Sequence, residues 1–166
     1  MKQSVFAGAD GAPLVLYHGT DVAFSKFKPS EAAFYGGGIY FTDSMEAARQ
    51  YADDKGGDAS YVVAANLFMR KPYVFESGFA YTETTAESLI KRLFKGDAKR
   101  RVLAAFREQG ELTDEVRKEL DARGFDGLIV RVPAEPDEYI VFDPEQVSIV
   151  QAEVDHPGQC QRERAR

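Results

Sequence analysis

Cysteine and histidine are both scarce in this chain. One cysteine, Cys160, and two histidines, His18 and His156, stand among 166 residues. A lone cysteine cannot close an intramolecular disulfide. So few Cys and His ligands also nearly exclude a zinc site built from them. A chain without disulfides suits a reducing cytoplasm, and a cytoplasmic location is expected. No apolar run approaches the ~18–20 residues that cross a bilayer, so no membrane partner is expected. Residues 1–13 lack the long apolar stretch of a signal peptide. Net charge is −6, which excludes nucleic-acid binding by bulk electrostatics.

The common catalytic signatures are missing as well. Gly36-Gly37-Gly38-Ile39-Tyr40-Phe41 lacks the last glycine of GxGxxG and precedes a strand rather than opening a helix. There is no Walker A sequence and no GxSxG elbow. Two histidines leave little room for a Ser-His-Asp triad. Any catalyst here is built differently.

What is present is an ordinary globular composition, 44% hydrophobic. The length fits one domain, which buries about two-thirds of the unfolded chain's surface. Short β-rich runs occur at 14–18, 39–42, 61–69 and 71–75, with a glycine-rich loop at 19–38 before the second. Asp43, with Glu46 three residues on, is expected to cap a helix over 45–54. Met45, Ala48, Tyr51 and Ala52 fall on one face of it. Residues 82–123 are helical in pattern, starting at Thr84, Asp97 and Thr113, with Gly124 as a stop. The β pattern returns at 128–132, 138–142 and 147–150. The tail 151–166 is polar and is expected to be disordered. Strands at both ends and helices between them favour α+β over a doubly wound sheet. The organisation expected is one domain, 1–150, with a helical insertion at 82–123.

Three segments place chemistry-bearing residues at element edges, where sites gather on rigid support. LYHGT (16–20) sets a histidine and a glycine at the end of a strand. YGGGIYFTD (35–43) sets glycines against an aromatic strand. PDEYIVFD (136–143) sets two carboxylates at a strand mouth. Taken singly, each has a plainer explanation. A histidine at a strand end is usually structural, a strand tyrosine is usually core, and most carboxylates are solvated. A local basic run, Lys91, Arg92, Lys95, Lys99, Arg100, Arg101 and Arg107, reads first as a solvated helix face. Its sharper reading is contact with RNA, with phosphates or with an acidic target.

Taken in order, LYHGT, GGGIYFTD (36–43) and EYIVFDPEQV (138–147) resemble the three nucleotide-site motifs of the ADP-ribosyltransferases of the poly(ADP-ribose) polymerase type. The layout is more similar still to ADP-ribosyltransferase domains of phage polyvalent proteins and bacterial toxins. The resemblance covers about 14–76 and 124–150 and leaves out 82–123. It implies a split, antiparallel two-sheet core with flanking helices. It implies NAD⁺ as co-substrate, no metal, and a His-Tyr-Glu trio at His18, Tyr40 and Glu138. Glu138 would stabilise positive charge at the ribose, as carboxylates do in glycoside cleavage. Tyr40 would stack on the pyridinium, and His18 would bind the adenosine ribose. Gly19 would meet the carboxamide through its backbone, with Thr20 and Gly38 also lining the NAD⁺ site. Tyr51, eleven residues after Tyr40 (51 − 40), would be a second stacking ring. The polymerases carry a lysine and a serine where this chain has Ala47 and Ala48. That departure favours transfer of a single ADP-ribose to a protein or RNA acceptor by a phage or toxin effector. An antitoxin or immunity partner would go with a toxin. NAD⁺ glycohydrolysis and a non-catalytic binding module are the alternatives.

Overall fold

The computed structural model describes residues 11–22, 26–78 and 82–155. Seven strands hydrogen-bond in the order β4-β5-β6-β2-β1-β3-β7. They are β1 (Leu16–Thr20), β2 (Ile39–Thr42), β3 (Ser60–Leu67), β4 (Pro72–Glu76), β5 (Gly127–Arg131), β6 (Glu138–Val141) and β7 (Val147–Asp155). The helices are α1 (Met45–Asp54), α2 (Thr82–Leu93), α3 (Gly96–Gln109) and α4 (Glu115–Ala122). The expected antiparallel two-sheet core is corrected to one mixed sheet, since β4 and β5 run parallel. The reason lies in the connection. Parallel neighbours need a crossover of a dozen or more residues, and α2, α3 and α4 all lie between β4 and β5.

The chain divides into two compact units and passes from one to the other within β2. Of the described residues, the first unit holds 11–22, 26, 41–68 and 147–155. Here β3 pairs antiparallel with both β1 and β7, with Leu16 opposite Ala65 and Leu67 opposite Val147. β7 runs on to Asp155, whose partner is Ser60, so the strand takes in 151–155, expected as tail. The remainder of that tail, 156–166, lies outside the described residues. The ladder explains the difference. Eight β3 residues offer partners, and backbone pairing does not depend on apolar side chains.

Helix α1 packs on β1. Its N-cap is Ser44, whose Oγ accepts from the Ala47 N–H at 3.1 Å. The expected cap at Asp43 is therefore moved by one residue. The buried stripe is narrower than the sequence pattern suggested. Ala48 and Ala52 are buried, while Met45 and Tyr51 are exposed.

The second unit holds 27–40 and 69–146. Its core joins Leu89, Ile90 and Leu93 of α2, Val102 and Phe106 of α3, Val116 and Leu120 of α4, and Leu128, Val130 and Ile140 of β5 and β6. Burying side chains of this kind contributes roughly 1.5–3 kcal/mol each, so this apolar set dominates the unit's stability. The three helix starts differ from expectation. Thr84 lies inside α2, and Lys95 and Asp114 occupy the N-caps of α3 and α4 without side-chain capping bonds. Gly124 does lie just past α4, at φ +81°.

Candidate active site

The expected site residues fall in both units. His18, Gly19, Thr20 and Tyr51 belong to the first, and Gly38, Tyr40 and Glu138 to the second. Each group is described by itself.

In the first unit His18 stands on β1 opposite Val63 of β3. Its ring centroid lies 5.5 Å from that of Phe41, tilted by 51°. Next to it, Gly19 meets α1 more closely than any other residue type could. A β-carbon there would lie 1.8 Å from the Ala48 carbonyl oxygen. Packing alone thus requires glycine at 19. Thr20 Oγ1 accepts from the Val22 N–H at 3.3 Å and turns the chain at the end of β1. Tyr51, one turn after Ala48 on α1, is 56% exposed, with Lys55 Nζ 5.1 Å from its ring centroid. That ring already offers a face to a cation, as stacking on a pyridinium would require.

In the second unit the glycines lead into β2. A β-carbon at Gly37 would come within 2.7 Å of the Ser30 carbonyl oxygen. One at Gly38 would come within 2.6 Å of Ile140 Cγ2. Protein atoms fill these spaces, so packing accounts for Gly37 and Gly38 without a ligand. Ser30 and Gly38 exchange backbone hydrogen bonds at 2.9 and 3.0 Å, and Ala33 and Leu112 do so at 3.0 and 2.8 Å. Residues 30–38 of the stretch expected as loop are thereby tied down.

Tyr40 is part-buried against the apolar core. Its hydroxyl donates to the Gly36 carbonyl at 2.6 Å and accepts from the Tyr35 N–H at 3.0 Å. The phenol oxygen is thus committed to the backbone of 35–36.

Glu138 opens β6, opposite Val130 of β5. Its Oε2 is enclosed and has no hydrogen-bond partner among the described residues. Burial pushes its carboxyl up from the ordinary range to about 7. A carboxyl of this kind is poised between its neutral and ionised forms near neutral pH. The neighbouring Asp137 accepts from Arg131 Nε at 3.2 Å. The two carboxylates that look equivalent in sequence are thus separated by environment. An enclosed carboxyl oxygen with no protein donor calls for an explanation. A sugar hydroxyl is a fitting partner, so the residues present suit the ribose of NAD⁺.

Sequence reasoning passed over Tyr35. It is 3% exposed, and burial first, with the Glu138 charge second, pushes its hydroxyl up from the ordinary tyrosine range. Only its place directly before three glycines hinted at it.

A family model described as ADP-ribosyltransferase in polyvalent proteins matches residues 8–155. No curated protein sequence matches the chain. Among solved structures it is similar to the crystal structure of the M. tuberculosis MbcT–MbcA toxin–antitoxin complex. Identity is 13%, over 93% of this chain and 90% of that one, with a TM-score of 0.47.

Proposed function

The chain belongs to the ADP-ribosyltransferases of polyvalent proteins, and from that premise we propose that it cleaves the nicotinamide–ribose bond of NAD⁺. The observation that carries the reading is the enclosed, unpartnered Oε2 of Glu138. A carboxylate there would accept a ribose hydroxyl and stabilise positive charge as the bond breaks. The bonding pair leaves on the nicotinamide nitrogen. The anomeric carbon then bonds to an acceptor oxygen, which gives up its proton. Tyr40 and Tyr51 would offer aromatic faces to the pyridinium. His18 would bind the adenosine ribose, the Gly19 backbone the carboxamide, and Thr20 and Gly38 would complete the site.

Two fates of the ADP-ribosyl group are open to this chemistry. Hydrolysis needs nothing beyond the site and water. Transfer needs a surface that reads a macromolecule, and the basic run was the sequence's candidate for one. Most of that run is engaged with neighbours. Lys91 and Arg107 pair with Glu87, Arg100 with Asp97, and Arg101 with Glu115. This favours NAD⁺ glycohydrolysis over transfer to RNA or an acidic protein. Mono-ADP-ribosyl transfer keeps the support of the family to which the chain belongs. Polymer growth has none, since Ala47 and Ala48 replace the lysine and serine. A binding module without turnover is the third reading, and the presence of all three trio residues argues against it.

The test is incubation of the protein with adenylate-labelled NAD⁺ in bacterial lysate, beside a Glu138→Gln control. Free ADP-ribose that depends on Glu138 supports hydrolysis. Label bound covalently in the protein or RNA fraction, and lost in the control, establishes transfer and its acceptor class. Absence of nicotinamide release under both conditions rejects NAD⁺ cleavage and leaves the binding module.

A further inference from the structure

The ladder that carries Glu138 also ends on it. β5 and β6 pair from Gly127 and Val141 to Val130 and Glu138, which form the last rung. The end of a ladder frays unless something beyond it holds. Here the next rung is built from side chains. One step past Val130 and Glu138 the register sets Arg131 opposite Asp137, and Arg131 Nε donates to Asp137 Oδ2 at 3.2 Å. On the other side of β5 the register sets Arg131 opposite Glu76 of β4, and Arg131 Nη1 donates to Glu76 Oε1 at 3.4 Å. One guanidinium thus ties β4, β5 and the residue that enters β6. Its rigid fork of donors suits two acceptors on opposite sides better than a single ammonium would.

Arg131 is itself anchored. Its carbonyl accepts from the Ser77 N–H at 2.8 Å, and the Ser77 and Thr85 hydroxyls share a hydrogen bond at 2.7 Å. Ser77 and Thr85 are both buried, and Thr85 belongs to α2. A path of hydrogen bonds therefore runs from the helical block to the residue before Glu138. The connection between Arg131 and Asp137 needs such a brace. Ala134 stands at φ +63°, where residues with a β-carbon are uncommon, and backbone of that kind persists where its surroundings fix it.

We propose that Arg131 is a positioning residue: by holding Asp137 it fixes the last rung of the β5–β6 ladder, and with it the enclosed carboxyl of Glu138. The functional meaning rests on the reading of Glu138 as the carboxylate of NAD⁺ cleavage. The brace itself does not, and it can be tested without NAD⁺.

The experiment follows the side-chain carboxyl carbons of ¹³C-labelled glutamate through a pH titration. The Glu138 resonance is identified by its loss in Glu138→Gln. Burial is what holds this carboxyl above the ordinary range. In Arg131→Met the last rung loosens and water reaches the carboxyl, so the Glu138 midpoint falls by roughly half a pH unit or more. Loss of a mere positive charge nearby would move it the other way. A raised or unchanged midpoint overturns the proposal. Arg131→Lys keeps the charge and loses the fork, and its midpoint lies between those of Arg131→Met and the parent. A midpoint at the parent's value in both variants overturns it again. In an Asp137→Ala background Arg131→Met has little further effect, because its partner is already gone. A full further fall there would show that Arg131 does not act through Asp137. These side chains are partly exposed, and such pairs contribute little to global stability, so the variants keep the fold. In turnover, Arg131→Met lowers kcat for nicotinamide release roughly fivefold or more, with KM for NAD⁺ little changed. A raised KM with kcat unchanged overturns the positioning role. Titrations that behave as stated in a protein that never releases nicotinamide would reject the NAD⁺-cleavage reading while leaving the brace standing.

Discussion

Gly19 and Ala48 meet with no room for a side chain between them: a β-carbon on Gly19 would lie 1.8 Å from the Ala48 carbonyl oxygen. This approach sets the distance between β1, which carries His18, and α1, which carries Tyr51. Gly19→Ala should push the helix off the strand and destabilise the protein by about 1–3 kcal/mol, the scale of overpacking. Chemical denaturation measures it. An unchanged midpoint would show that α1 does not rest on Gly19.

Glu138 makes stability depend on pH with a definite sign. Its folded value, about 7, lies above the ordinary 4.5. The folded state therefore holds the proton more tightly. Stability from this group is fully present below pH 4.5 and is lost as pH rises through 7. The whole change is on the order of 3 kcal/mol. Glu138→Gln should remove that dependence and be more stable than the parent at pH 8. Denaturation midpoints at pH 5 and pH 8 for both proteins decide it, and parallel pH responses would refute it. The same variant should lose at least ~10²-fold in nicotinamide release.

Tyr40 has a ring and a hydroxyl with separable duties. Tyr40→Phe keeps the ring but cuts the bonds to Gly36 and Tyr35, at a cost of about 1–3 kcal/mol in stability. Its NAD⁺ affinity should stay within roughly threefold of the parent's, since the stacking face survives. Tyr40→Ala should lose affinity as well. Calorimetric titration separates the two, and equal losses in both variants would take the stacking role away from the ring.

Neutralising Lys99, Arg100 and Arg101 together should leave nicotinamide release within about twofold and cost no more than ~1 kcal/mol, as expected for exposed pairs. Release assays and denaturation check this. A selective loss of macromolecular labelling in that variant would restore the target-reading role and the transfer reading with it.

Truncation after residue 150 should destabilise the protein, because it removes the β7 residues paired with Ser60 to Ala64. Truncation after 155 retains that pairing and should cost much less. Similar melting curves for the parent and the 150 truncation would show that the end of β7 contributes nothing.

Much of this protein was determined along the chain itself. The β-rich runs at 14–18, 39–42 and 138–142 lead to the strands Leu16–Thr20, Ile39–Thr42 and Glu138–Val141, because local β propensity agrees with the pairing. The family was legible from three ordered motifs. What sequence could not hold is anything settled by partners distant in the chain. β4 and β5 lie parallel only because three helices intervene. The sheet continues to Asp155 because β3 offers it partners, although its side chains look like tail. Asp137 and Glu138 are adjacent carboxylates of the same chemical kind. Only the tertiary structure holds one beside Arg131 and encloses the other, since burial and Coulomb interactions depend on distance in space and not on position in sequence.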